Sequence, residues 1–330
     1  LKTEAGVVLI AVLWIFAGLA IIALSFSKES RVEVAAARNA QSMEYSYFVA
    51  RAGMMATIYQ IIQKRQTPVP QTDESPDAID LGKVTGSFGG CVYDVAIQDE
   101  SGKLSINNNN PMLDERIRAL MDAVGIDKHD ADIILDSIRD WRDGDLNTQP
   151  NGAENDYYQT LNPPYKAQND RIEVLEELLL VRGMTSDYFY GHPERTSEGS
   201  IINKYGLSKY LSAYQTGAQI NANFASIPVL LAIGVPPETA KLIYDRRRTK
   251  PFKNSQELIR EFAGNSTEAW LGSIAANQPS LFSLTASAHA ENSKVRRIVR
   301  AVIQLDGSSE TGYRTLYWNE NVPDYESVNP

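Results

Sequence analysis

The chain opens on an uninterrupted apolar run. Gly6 to Phe26 reads GVVLIAVLWIFAGLAIIALSF, and Ala5 to Ser27 carries no charge. About twenty apolar residues are enough to cross the hydrocarbon core as a helix. A secretory signal has a shorter apolar region, about 7–15 residues, followed by a small-residue cleavage site. Ser27-Lys28-Glu29-Ser30-Arg31 has no such pattern, so a retained membrane span over 7–27 is expected. Lys2 precedes it and Lys28 and Arg31 follow it, so charge bias does not orient it. The helical pattern then continues. From Lys28 to Arg65 there is no proline, and Gly53 is the only glycine. Met43, Tyr47, Ala50, Met54, Ile58 and Ile61 recur at spacings of three and four, which makes one apolar stripe. Thr67-Pro68-Val69-Pro70 ends the run. The pattern predicts one helix over 7–65, on the order of 85–90 Å long. Its first half is apolar all round and its second half is amphipathic.

Gln66 to Gly90 is rich in Pro, Thr, Ser, Asp and Gly and reads as a linker. CVYDVAIQDESGKLSIN, from Cys91, predicts two strands around a turn at Glu100–Lys103. Phe282 to Leu305 predicts a second hairpin turning at Glu291–Lys294, and Tyr313–Trp318 a further strand. Helical patterns dominate between them. The expected fold is α+β: the long helix packs on an antiparallel sheet, with a large helical domain over 111–280 inserted between the strands. Residues 66–110 and 281–330 then supply the linker and the two parts of the sheet.

The insert contains an echo. Ile106–Asn110 (INNNN) is matched by Ile220–Asn223 (INAN), and AVGIDKHDADIILD from Ala123 by AIGVPPETAKLIYD from Ala232. Gly125 aligns with Gly234, Ala131 with Ala240 and Ile134 with Ile243; LLLVRGMTSDYF is a partial third copy. Each reads as helix, Gly turn, helix, with the Asn residues as N-caps and Pro111 at a first helical position. The pattern resembles a helix-hairpin-helix, and Arg246–Lys250 (RRRTK) makes a membrane-anchored nucleic-acid binder the alternative reading. Asp127, Asp130 and Asp132 around the first turn would repel phosphate, and the net charge of −9 argues the same way, so no nucleic acid is expected. Asn169 and Asp170 precede RIEVLEELLLVRG and read as a helix cap. Hydrophobic residues at 43% and charged residues at 22% are ordinary for folded domains. Cys91 stands alone and reads as a small buried strand residue; His129, His192 and His289 are far apart, so no zinc spacing exists. G-x-S-x-G, P-loop, H-E-x-x-H and G-x-G-x-x-G patterns are missing, and no enzyme is expected.

DWRDGDLNTQPNGAENDYY is the stretch with most chemistry. Counting Asp143 as one puts Asp145 at three, Asn147 at five and Glu154 at twelve. These are side-chain ligand positions of an EF-hand loop, where hard oxygens wrap a calcium ion. Thr148 stands where that loop has glycine, so a regular EF-hand is not expected. Asp156, Asp140 and Asn169 are further oxygen donors, and a cation would relieve the repulsion of clustered acids.

The N-terminal architecture resembles type IV pilin-like subunits. The resemblance implies cleavage by a prepilin peptidase after Gly6, with 1–6 as leader and Val7 as the mature N-terminus. The leader departs from the family in Glu4, and Leu1 in place of Met suggests an alternative start or a trimmed sequence. Ala11 becomes the fifth mature residue, where most such subunits carry glutamate. DIILDSIRDWRDGD, YYQTLNPPYKAQNDRIEVLEELLLVRGM, INANFASIPVLLAI and RRRTKPF follow in an order similar to the minor pseudopilin K family of type II secretion (general secretion pathway protein K). That implies calcium in the insert, a place at the pseudopilus tip with minor pseudopilins I and J, and a single-pass inner-membrane protein with a periplasmic head. A tip subunit of another pilin-like machine is the neighbouring alternative.

Overall fold

The computed structural model describes residues 2–66, 82–108, 111–195, 201–262, 268–291 and 296–322, with side chains left out for 2–8, 66, 195 and 201–203. Helix α1 (Lys2–Gln66) is continuous. It starts inside the six residues expected to stand apart as a leader, where no proline or glycine interrupts Lys2–Ala5. Its apolar half has no cover among the described residues: Trp14 is 75% exposed and Phe26 71%. Its second half buries Val49, Ala50, Met54, Ile58 and Ile61. The expected stripe also held Met43, which is exposed; the first buried position along the described part of the helix is Ser46.

β1 (Lys83–Phe88) and β2 (Cys91–Asp99) form a hairpin around Gly89 and Gly90, both at positive φ. This corrects two expectations. The linker read to Gly90 ends before a strand, and Glu100–Gly102 form a 3-10 turn instead of a hairpin. Gly-Gly supplies the left-handed backbone a tight hairpin needs, whereas Gly86 masked the strand signal. Residues 67–81 lie outside the described residues.

The insert follows as β3 (Leu104–Ser105), α2 (Leu113–Ala123), α3 (Lys128–Arg142), α4 (Asn155–Tyr158) and α5 (Ser186–Tyr190). Then come the antiparallel pair β4 (His192–Arg195) and β5 (Ile201–Lys204), β6 (Leu211–Ser212) and β7 (Ile220–Asn221). Helices α6 (Ile227–Ala232), α7 (Pro237–Thr249) and α8 (Ser255–Phe262) and strand β8 (Ile274–Ala275) close it. β9 (Leu281–Ala290), β10 (Arg296–Leu305) and β11 (Tyr313–Asn319) complete a five-stranded antiparallel sheet in the order β1-β2-β9-β10-β11.

Alternation along these strands gives the sheet two different faces. Val95, Ala286 and Val299 lie side by side in register, and with Leu284, Ala288 and Ala301 they face α1. The alanines let the helix come close. Gly53 is the helix's accommodation: a Cβ there would lie 2.8 Å from Cε2 and 2.9 Å from Cγ of Tyr93, whose ring also runs against Gly86. Cys91 is buried in the same core. The opposite face meets the insert, where Arg300 pairs with Glu176 at 2.9 Å and the Tyr214 and Tyr317 rings lie 6.0 Å apart.

The insert's own core begins at Leu104 and is built from two like units. In one, the amides of Val124, Gly125 and Ile126 bond to the carbonyls of Leu120, Asp122 and Met121. In the other, Ile233, Gly234 and Val235 bond to Val229, Leu231 and Leu230, which is the same pattern shifted along the chain. Gly125 and Gly234 both sit at positive φ, 86° and 90°, a backbone state glycine adopts without steric penalty. Ala131 and Ala240 are buried at equivalent places. Each unit opens on a two-residue parallel bridge, β3 with β6 and β7 with β8. The Asn caps are corrected. Asn107 instead bonds Ile172 O and Ala213 O, and Asn221 bonds Asn277 O. The caps of α2 and α6 are Met112 and Ser226, and Pro111 lies in the turn before them. The partial third copy keeps Gly183 at φ 86°, between a 3-10 turn and α5.

Candidate metal centre

Helix α3 ends at Asp143, and α4 begins after Glu154. The twelve-residue count therefore spans a loop hung between two helix ends. Asp143 is the C-cap of one and Glu154 the N-cap of the other. Local bonds wind the loop: Asp143 Oδ1 accepts from Asp145 N at 3.4 Å, and Asp145 Oδ1 from Asn147 N at 2.7 Å. Asp143, Asp145 and Glu154 each bring a carboxylate oxygen within 4.8 Å of the others.

Two further acids on α3 hold the loop in place. Asp140, 0% exposed, accepts from Gln149 N at 3.0 Å, and Asp136 accepts from the Asn151 amide and side chain at 3.1 and 3.0 Å. One helical turn separates them, so both face the loop. Asp136 went unnoticed in the sequence; its signal was that spacing. Gly152 completes the arrangement, because a Cβ there would sit 2.8 Å from Asp140 Cγ. Arg182 bonds Gly152 O at 2.8 Å and lies over the Tyr157 ring.

Glu154 is 4% exposed, and neither of its carboxylate oxygens has a hydrogen-bond partner among the described residues. Burial pushes its carboxyl up, and the charges of Asp140 and Asp143 add to that. Asp143 is raised by burial and by Asp145, against the opposing Arg142 charge. Asp140 is raised by burial and by Asp143 and Asp136, against the Gln149 and Ala153 amides. An uncompensated buried carboxylate costs several kcal/mol, and a cation placed among these oxygens would remove that cost. The donors are all hard oxygens, which suit calcium or magnesium and not zinc.

The other expected donors divide. Asn147 is exposed on the loop, and Asp156 is exposed in the first turn of α4, outside the carboxylate group. Asn169 is not a helix cap, since the next turn starts after Val174. It sits at φ 49°, donates to Asp145 O at 3.2 Å, and leaves Oδ1 buried without a partner among the described residues. Asp170 only accepts from Arg171 N.

Gly6 and Val7 lie in the helical backbone of α1, their side chains outside the described residues; Ala11 is exposed on its apolar half. The RRRTK run is largely absorbed by the fold. Arg246 pairs with Glu257 at 3.1 Å and Glu261 at 3.0 Å, and Arg247 donates to Ala222 O and Ala225 O.

Comparison with known proteins completes the picture. Residues 96–190 match the family described as type II secretion system (T2SS), protein K. The type II secretion system protein K of Pseudomonas aeruginosa is 28% identical over 174 residues, 50% of this chain and 47% of that protein. The protein of the same description from Pectobacterium carotovorum is 32% identical over 114 residues, 34% of this chain and 35% of that one. The matches thus span about half the length or less of these relatives. Among solved structures, the GspK-GspI-GspJ complex of the enterotoxigenic Escherichia coli type 2 secretion system contains a chain of the same fold. Its TM-score is 0.65 at 14% identity, covering 87% of this chain and 99% of that one.

Proposed function

We propose that this chain is a member of the protein K family of type II secretion, a minor pseudopilin that caps and initiates the pseudopilus tip and promotes export of folded proteins. The carrying observation is the division of α1. Its second half is committed to the sheet, while its apolar half has no partner among the described residues. Such a surface needs lipid or other helices around it. The outward side of the second half also stays apolar: Phe48, Met55 and Tyr59 are exposed opposite the core stripe. Minor pseudopilins I and J are the partners this reading names, with the helix in the inner membrane, the head in the periplasm and a prepilin peptidase cutting between Gly6 and Val7. Ala11 fits a subunit with nothing stacked above it. A glutamate there would bury an unpaired charge in the membrane, a cost of about 2.5–3.5 kcal/mol on insertion scales. The bulky insert covers the sheet face away from α1 and blocks stacking on that side. The role is one of assembly, not catalysis. Calcium held by Asp143, Asp145 and Glu154, with Asn147 and Asn169 in reach of the same loop, fixes the insert's shape.

The test is co-purification of the full chain with minor pseudopilins I and J, beside an export assay in cells lacking it. The reading expects a complex, loss of export on deletion, and no gain from Ala11→Glu. Failure to bind either partner, or a clear gain from Ala11→Glu, would overturn it.

A further inference from the structure

The chain crosses from sheet to insert through a buried passage. Asp99 ends β2, Glu100–Gly102 form the 3-10 turn, and Lys103 leads into β3. Asp99 is 5% exposed, Glu100 2% and Lys103 6%, so three consecutive charged positions around one turn are withdrawn from water. Glu100 touches both bodies. It pairs with Lys103 and takes hydrogen bonds from Ser212 of β6 in the insert and Ser283 of β9 in the sheet. The turn has no slack: a Cβ on Gly102 would lie 2.6 Å from the carbonyl carbon of Phe224 and 2.8 Å from Ala225 N. Burial pushes the Glu100 carboxyl up, but Lys103 and the hydrogen bonds outweigh it and hold the group below its ordinary range.

Asp99 lacks that compensation. Its Oδ1 accepts from Ser101 N, while Oδ2 is buried with no hydrogen-bond partner among the described residues. Across the ladder it faces Phe282. Among the described residues, the charged groups around the passage include Glu100 and Lys103 on its own segment, Arg65 near the end of α1, which donates to Pro279 O, and, on the opposite sheet face, the Glu176–Arg300 pair. Tyr214, which feels both Glu176 and Glu100, is a further titratable neighbour and is raised by burial. Ionised Asp99 therefore leaves a buried carboxylate oxygen with no hydrogen-bond partner among the described residues at the crossing.

We propose that this passage is a proton-sensitive coupling: with Asp99 protonated it locks the insert to the sheet, and with Asp99 ionised it loosens that attachment. Burial moves the Asp99 carboxyl from 3.8 to about 6; Ser101 and Lys103 oppose the shift and Glu100 adds to it. A carboxyl raised in the folded state contributes stability that is complete below its unfolded value and is lost as pH rises through the folded value. The sensitive window is therefore about pH 4 to 6, with the coupling weakest above it. A shift of about two pH units corresponds to roughly a hundredfold change in the local opening equilibrium.

The experiment is amide hydrogen exchange on the full chain in detergent micelles, with calcium saturating throughout. Rates are corrected for intrinsic base catalysis and followed from about pH 4.5 to 7.5. Protection at residues 100–105, 212 and 283 should fall by about thirtyfold across that range, while the sheet centre around Ala286 stays level. Asp99→Asn should flatten the change. A level wild-type profile at the passage, or an undiminished slope in Asp99→Asn, would overturn the proposal. If Asp99→Asn does not fold, the wild-type profile and its midpoint decide alone. The coupling does not depend on the tip assignment, and neither outcome touches it.

Discussion

Gly53 offers the sharpest check on how α1 meets the sheet. In an exposed helix, replacing glycine by alanine gains about 1 kcal/mol. Here the new methyl would enter the ring of Tyr93, 2.8 Å from Cε2 and 2.9 Å from Cγ. The ring cannot simply swing aside, because Gly86 marks its other contact with the same closeness. Overpacking of this kind costs about 1–3 kcal/mol. Gly53→Ala should therefore be neutral to destabilising by about 2 kcal/mol, despite better helix propensity. Tyr93→Val opens the slot and keeps a strand-favouring residue. In that background Gly53→Ala should stabilise by about 1 kcal/mol. The readout is the denaturation midpoint of the full chain in detergent for all four members of the cycle. The sign change corresponds to a coupling of about 1–3 kcal/mol, within the range for residues in contact. Stabilisation by Gly53→Ala in the wild-type background, or the same effect in both, would refute the packing argument.

The remaining tests concern the loop and the repeats. Calcium at about a hundred times its Kd should stabilise the protein by about 2.7 kcal/mol. For a domain the size of the insert that is roughly 5–10 °C in Tm; an equal shift in Asp143→Ala/Glu154→Ala would remove the site. In chelator, Glu154, Asp143 and Asp140 have raised folded pKa values. The calcium-free protein should therefore be most stable on the acid side and weaken as pH rises through those values, with calcium flattening the profile in thermal melts at stepped pH. Gly125→Ala and Gly234→Ala should each cost about 1–2 kcal/mol by forcing a Cβ into left-handed backbone. Urea titrations giving a loss at one and none at the other would contradict the equivalence of the two units.

Apolar patterning made the long helix and the last three strands legible: an unbroken apolar run and then a 3–4 stripe along the helix, and strand-favouring runs bounded by polar turns in the sheet. The first hairpin was misread for a local reason. Gly86 weakens the strand signal of Lys83–Phe88, and the acidic turn at Glu100 has hairpin composition although the chain leaves the sheet there. The loop carboxylates Asp143, Asp145 and Glu154 were legible from spacing because their partners are local. Asp136 and Gly152 were not, because their roles depend on how the loop folds back over α3. The repeated Gly turns could be read because the same hydrogen-bond pattern demands the same residue in both copies.

Asp99 and Phe282 are partners across adjacent strands, so some 180 residues leave and rejoin the sheet one rung apart. Topologically the helical body occupies the place of an ordinary hairpin bend. An ancestral sheet could have acquired it as a single graft without altering any pairing, and descendants could trade it for a different cargo just as cheaply.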